Sequence, residues 1–152
     1  MLGGRAMVAD AMSKRKMRRA IAIDLGKARV GVAVTDELGL LAHSRGYLDG
    51  KSRKALLQEL AALAREEQIT TFVVGLPLEM DGAQGSAAQR ALTFAQELAD
   101  ASGSNVEMVD ERLSTVEATR RLGEGGVAGR EQRTRIDGAS AAVILQSWLD
   151  RR

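Results

Sequence analysis

Ala20-Ile21-Ala22-Ile23-Asp24-Leu25-Gly26-Lys27-Ala28-Arg29-Val30-Gly31-Val32-Ala33-Val34-Thr35 is the stretch that decides the fold. Its first four residues are an apolar run of the kind a buried strand needs. Asp24-Leu25-Gly26-Lys27 interrupts that run, and glycine beside a short acidic residue is turn chemistry. Val30 to Thr35 is a second β-branched run, so the pair reads as a hairpin. An acidic side chain is thereby placed where a buried strand ends.

Beyond the hairpin, Leu40 to Leu48 is a weaker third strand. Ser52 has the character of a helix N-cap, followed by Leu56, Leu57, Leu60, Leu63 and Ala64 at helical spacing. Thr70 to Val74 is a β-branched strand halted by Gly75-Leu76-Pro77. A helix over 87–101 carries Ala91, Phe94, Ala95 and Leu98 on one face and stops at Gly103. Val106 to Val109 is the last strand. Ser114 or Thr115 can cap a helix through Leu122, the glycines between Gly123 and Gly129 read as a loop, and a final helix runs from about Asp137 to Leu149. Three meandering strands followed by strands that alternate with helices specify an α/β domain, a mixed five-stranded sheet flanked by helices on both faces.

Composition agrees with a single globular domain. The chain has 152 residues, 45% hydrophobic and 28% charged. A chain of that length buries roughly 68–70% of the surface its unfolded form exposes. Cysteine is absent, which excludes disulfides, thiolate metal sites and a cysteine nucleophile, and fits a cytoplasmic location. No apolar run is long enough for a membrane span. Aromatics are 3% of the chain, so base stacking on aromatic platforms is not expected.

Charge is unevenly spread. Residues 1–19 hold six cations against Asp10, a local +5, which leaves −3 for residues 20–152 of a chain that totals +2. Residues 1–17 lack periodicity and contain Met1, Met7, Met12 and Met17, so we expect a disordered or vestigial basic leader ahead of a domain over 18–152, with the true start open. A second basic stretch, from Arg112 through Arg120, Arg121, Arg130 and Arg133 to Arg135, suits either a solvated surface or a phosphate-binding face.

Three acidic groups sit where elements end: Asp24 after the first strand, Asp110-Glu111 after the last, and Asp137 at the opening of the final helix. In a parallel sheet the carboxyl ends of the strands converge on one crevice. Carboxylates gathered there without matching bases repel each other, and a divalent cation resolves the conflict. Hard oxygen ligands select Mg²⁺ or Mn²⁺, ions that promote phosphodiester hydrolysis. Each residue also has an ordinary explanation. Asp24 fits a turn, Asp137 before Gly138-Ala139-Ser140 fits an N-cap, and Glu111 beside Arg112 fits a surface ion pair.

Four stretches in order carry a family resemblance. Ala22-Ile23-Asp24-Leu25-Gly26-Lys27 continuing through Arg29-Val30-Gly31-Val32-Ala33-Val34-Thr35-Asp36 resembles the opening motif of the YqgF family, also called RuvX-like. Val74-Gly75-Leu76-Pro77-Leu78-Glu79-Met80-Asp81-Gly82 resembles its second motif. Asp110-Glu111-Arg112-Leu113-Ser114-Thr115 resembles the third, and Ile136-Asp137 leading into Ala141-Ala142-Val143-Ile144-Leu145-Gln146 the fourth. Leu25 departs from the aromatic residue common in relatives, and the leader is extra.

The resemblance implies a ribonuclease H-like fold, an acidic triad of Asp24, Glu111 and Asp137, and a nuclease that trims the ends of precursor 16S ribosomal RNA. It implies two cations roughly 4 Å apart on the scissile phosphate. Asp24 would bridge them, with Glu111 and Asp137 each completing one shell. Lys27, Arg29 and Arg112 are the candidates for substrate phosphates. Gly75 and Pro77 are expected to shape the crevice wall, and His43 to be an ordinary surface or strand-end residue. Partners would be nucleic acid, precursor rRNA or branched DNA, with no membrane. A junction resolvase would act as a homodimer, and a non-catalytic nucleic-acid-binding module is a further alternative. Actin- and hexokinase-type ATPases open similarly but need two copies of the fold, and no internal repeat is visible here.

Overall fold

The structure, a computed structural model, describes residues 19–113 and 129–151, with the backbone alone at 113 and over 129–138. Its elements run β1 (Ile21–Leu25), β2 (Arg29–Thr35), β3 (Ala42–Asp49), α1 (Arg53–Glu67), β4 (Thr71–Leu76), α2 (Ser86–Ser102), β5 (Asn105–Asp110), a 3₁₀ turn (Glu111–Leu113) and α3 (Gly129–Asp150). The leader, the helix expected after Ser114 and the glycine-rich stretch up to residue 128 lie outside the described residues.

The five strands form one sheet in the order β3-β2-β1-β4-β5. β1 and β2 pair antiparallel as the hairpin required, with Ile21 opposite Val34 and Asp24 opposite Gly31. β2 pairs antiparallel with β3, whereas β1–β4 and β4–β5 are parallel. The sheet is therefore mixed, and the carboxyl ends of β1, β4 and β5 lie together at one end of it.

Strand side chains alternate between the faces, and here the two faces differ in residue size. Ile21, Ile23, Val30, Val32, Val34, Phe72 and Val74 point toward α1 and α2, where they meet Leu56, Leu60, Phe94 and Leu98. Ala20, Ala22, Ala33 and Val73 point toward α3 and are covered by Ile144, Leu145 and Trp148. The small strand residues leave room for the bulky side chains of α3. Each fully buried Leu, Ile or Phe contributes about 1.5–3 kcal/mol.

Local signals account for most boundaries. The Ser52 hydroxyl accepts the Ala55 N–H at 3.2 Å and caps α1, and Gly103 ends α2 with φ +68°. Three boundaries differ from the sequence expectation in ways that bear on the site or its supports. β4 does not stop at Gly75, because Gly75 and Leu76 still pair with Val109 and Asp110. The third strand covers Ala42–Asp49 rather than 40–48, because the backbone N–H of Leu40 turns onto the Asp36 carboxylate at 2.8 Å. α3 begins at Gly129, so Asp137 lies inside it and does not open it. Gln146 of α3 fastens the helix to the β2–β3 connection, accepting the Ala42 N–H at 3.0 Å.

Candidate active site

The alternation that places Ala20 and Ala22 under α3 continues to Asp24, so its carboxylate rises on the α3 face at the end of β1. The turn that follows is fixed by Gly26, whose N–H donates to the Arg29 carbonyl at 3.1 Å. A Cβ at residue 26 would run into that same oxygen, so only glycine allows the turn. Lys27 and Arg29 stand exposed beside Asp24 and, with Tyr47, wall a crevice of about 300 Å³ that contains it. The Arg29 guanidinium lies over the Tyr47 ring, 4.7 Å from its centre.

Glu111 reaches the same place from β5. Val109 packs on the α3 side, and Glu111, two residues on, carries its carboxyl across the end of β4 to hydrogen-bond with Asp24. The crossing passes over Gly75. A Cβ there would collide with Glu111 Oε1 and stand 2.8 Å from Ile144 Cδ1. This is why the strand continues through a glycine: the backbone stays in the sheet while the missing side chain makes room for a carboxyl.

The electrostatics are those of two acids held together. Burial first, then the Asp24 charge, the hydrogen bond with Asp24 and the Asp110 charge push the Glu111 carboxyl up to about 8. At neutral pH the two carboxyls therefore share a proton in the hydrogen bond between them. Asp110, one residue earlier, has the opposite surroundings. Arg112 grips it through Nη2 at 2.7 Å and Nε at 3.1 Å, and this holds Asp110 below the usual carboxylate range. The surface ion pair considered for Glu111 and Arg112 is thus made by Asp110.

Arg112 is committed elsewhere as well. Its Nη1 donates to the Met80 carbonyl at 3.3 Å and ties the β4–α2 loop to the end of β5. Of the three cations expected at phosphates, Lys27 and Arg29 line the Asp24 crevice, whereas Arg112 clamps the wall. The third expected acid, Asp137, lies in α3, with its side chain outside the described residues. No group of three His, Cys, Asp or Glu side chains able to hold a metal occurs among the described residues; the pair that does meet is Asp24 and Glu111. His43 is exposed on β3 opposite Val34, at the other end of the sheet.

Asp110 as the partner of Arg112, and a cationic cleft on the opposite face of the sheet, escaped the sequence reading. The first could have been suspected from the i, i+2 spacing beyond a strand end. The second depends on how two helices approach the sheet. That cleft, of about 540 Å³, is lined by Lys27, Arg53 and Arg90 together with Gly75 and Pro77.

Comparison with known proteins identifies the family and the fold. A protein from Anaeromyxobacter sp. strain Fw109-5, provisionally named pre-16S rRNA nuclease, is 49% identical over 88% of this chain and 98% of its own. A Myxococcus xanthus protein of the same provisional name is 47% identical over 87% of each. Among solved structures, Thermus thermophilus RuvC, determined with a Holliday junction substrate, superposes with a TM-score of 0.52 at 14% identity, over 88% of this chain and 95% of that one. At that identity the likeness establishes the fold alone, which is ribonuclease H-like. The model of the RuvX family, described as Holliday junction resolvase, matches residues 18–151. The chain therefore belongs to the RuvX family.

Proposed function

We propose that this chain is a metal-dependent nuclease, a hydrolase of phosphodiester bonds that trims the ends of precursor 16S rRNA in the cytoplasm. The observation that carries the reading is the meeting of Asp24 and Glu111, two carboxyls sharing one proton at the carboxyl ends of β1 and β5. A stable protein gains nothing from holding two acids in contact, and a group that replaces the proton with more positive charge would relieve the conflict. Divalent cations suit an all-oxygen donor pair, with Mg²⁺ and Mn²⁺ the best matches. Asp137 is the third carboxylate of the proposed set.

When bound, such ions lower the pKa of water and neutralise charge on a departing oxygen. The remaining work falls to side chains. Asp24 and Glu111 fix the donor oxygens. Lys27 and Arg29 stand beside them in the same crevice and attract and orient the phosphate chain. The Arg112–Asp110 bridge holds the neighbouring loop rigid, and Gly75 keeps the path between the two acids open. Among the described residues no helix is long and apolar enough to cross a membrane.

The family description favours one other substrate, a four-way DNA junction, which would call for a homodimer presenting two such sites. Purified protein incubated with precursor 16S rRNA, single-stranded RNA and a four-way junction, each with Mg²⁺ or Mn²⁺, separates the two. Precursor RNA should be cut, and Asp24→Asn should lower the rate by about 10³-fold or more with the fold intact. If Asp24 served only the turn, asparagine would replace it well and the rate would hold. Preferential cutting of the junction would transfer the assignment to a resolvase.

A further inference from the structure

The cationic cleft lies on the α1–α2 face, between the β1–β2 turn, the start of α1 and the start of α2. It is separated from the acidic pair by the strand ends themselves. Gly26 and Lys27 line both this cleft and the Asp24 crevice, so the two hollows share a rim. Gly75 lines the cleft on one face and lies under Glu111 on the other.

Its chemistry is two-sided. Lys27, Arg53 and Arg90 supply three positive charges, and no carboxylate is among the described residues that line it. Leu25, Leu56 and Pro77 give it an apolar floor. Arg53 rests over the Phe94 ring at 5.1 Å and makes a long, exposed contact with Glu97 at 3.7 Å. Lys27 and Arg90 have no hydrogen-bond or ion-pair partner among the described residues. A free phosphate needs the charges but not an apolar floor. A volume of about 540 Å³ is also far larger than phosphate requires, and sits within the roughly 300–1,000 Å³ of small-molecule sites.

We propose that this cleft seats one unpaired nucleotide of the substrate strand, next to the phosphate held at Asp24 and Glu111. The strand would cross the rim at Gly26 and Lys27, leave its phosphate among Lys27, Arg53 and Arg90, and lay its base on the apolar floor. Guanidinium planes and aliphatic side chains take over the role that aromatic rings play in other single-strand binders. A base still paired in a duplex cannot enter unless it leaves the stack, so the cleft selects single-stranded flanks. The proposal rests on the nuclease reading for the position of the scissile phosphate.

Binding without turnover tests it. Fluorescence anisotropy in Ca²⁺ compares a labelled single-stranded ten-nucleotide RNA with the blunt duplex of the same sequence. Wild type should favour the single strand. Arg90→Glu should weaken single-strand binding by about tenfold and leave duplex binding nearly unchanged. Ala87→Trp, which fills the cleft without altering charge, should do the same, and circular dichroism confirms that each variant is folded. Wild-type single-strand affinity in folded Arg90→Glu overturns the proposal. So does an equal loss on single strand and duplex, which would mean general electrostatics. Failure of the nuclease reading shows separately, as cleavage that survives Asp24→Asn, whatever Arg90→Glu does to binding.

Discussion

At the amino end of β1, Arg19 donates to the Glu67 carbonyl at 2.8 Å and to the Asp36 carbonyl at 3.1 Å. Arg45 meets the Glu67 carboxylate at 2.6 Å. At the carboxyl end of the same strand, Asp24 meets Glu111. The first arrangement neutralises charge: the Arg45 hydrogen bond, joined by the Arg19 contacts and outweighing the opposing effect of burial, holds Glu67 below the ordinary carboxylate range. The second concentrates charge of one sign, and Glu111 is driven up to about 8. One end of the sheet is finished as a scaffold, whereas the other holds two acids in contact. Perturbed acids at the mouth of a crevice are characteristic of functional sites, and they carry the nuclease reading proposed above.

Glu111→Gln should have the largest effect. Glutamine keeps the shape and removes the charge, so cleavage should fall by about 10³-fold. Its effect on stability has a definite sign. In wild type without metal, the folded state holds the Glu111 proton more tightly than the unfolded chain, whose carboxyl titrates near 4.5. The resulting stabilisation is complete below pH 4.5 and is lost as pH rises through about 8. Melting temperatures in EDTA should therefore decline over that window in wild type and decline less in Glu111→Gln. An identical pH profile for both proteins would mean that Glu111 does not carry the proton.

Gly75→Ala tests the space that allows the pair to form. The new methyl would collide with Glu111 Oε1 and crowd Ile144 Cδ1 at 2.8 Å. Overpacking of this kind costs about 1–3 kcal/mol, and misplacing Glu111 should cost about 10²-fold in rate. Unchanged cleavage would show that Glu111 need not cross β4. At the scaffold end, Glu67→Gln should be nearly silent. Its ion pair with half-exposed Arg45 is worth less than about 1 kcal/mol, and cleavage should stay at the wild-type rate. The pH sign is opposite to that of Glu111: the Glu67 contribution is present above the ordinary carboxylate pKa and is lost as pH falls through its lowered value. A rate loss in Glu67→Gln equal to that of Gly75→Ala would erase the distinction between the two ends.

Much of this was legible in the chain because local rules agreed with the tertiary structure. Apolar runs on either side of Asp24-Leu25-Gly26-Lys27 specified the hairpin, and Ser52 and Gly103 marked helix ends through their own backbone chemistry. Ala20 and Ala22 alternating with Ile21 and Ile23 also anticipated a sheet covered on both faces. Legibility failed where the reason for a residue lies across the sheet. Gly75 read as a strand breaker, because glycine interrupts strands and the carboxyl that requires it is 36 positions away, at Glu111. Asp137 read as a helix start because Gly138-Ala139-Ser140 imitates an N-cap sequence, yet α3 is already under way from Gly129. Arg53 and Arg90 drew no notice because each sits among ordinary helix residues. Only the approach of α1 and α2 to the strand ends brings them into one cleft.

Titration of ¹⁵N-labelled protein with Mn²⁺ asks whether the acidic pair at the strand ends holds a cation, since a paramagnetic ion broadens the amide signals nearest to it whether or not substrate is present. A cation held at Asp24 should selectively broaden Leu25, Gly26, Gly75 and Arg112 while sparing Thr35, Asp36 and Gln68, and the broadening should disappear in Asp24→Asn. Broadening centred on Asp36 and Glu67, or broadening at the strand ends that persists unchanged in Asp24→Asn, would contradict it.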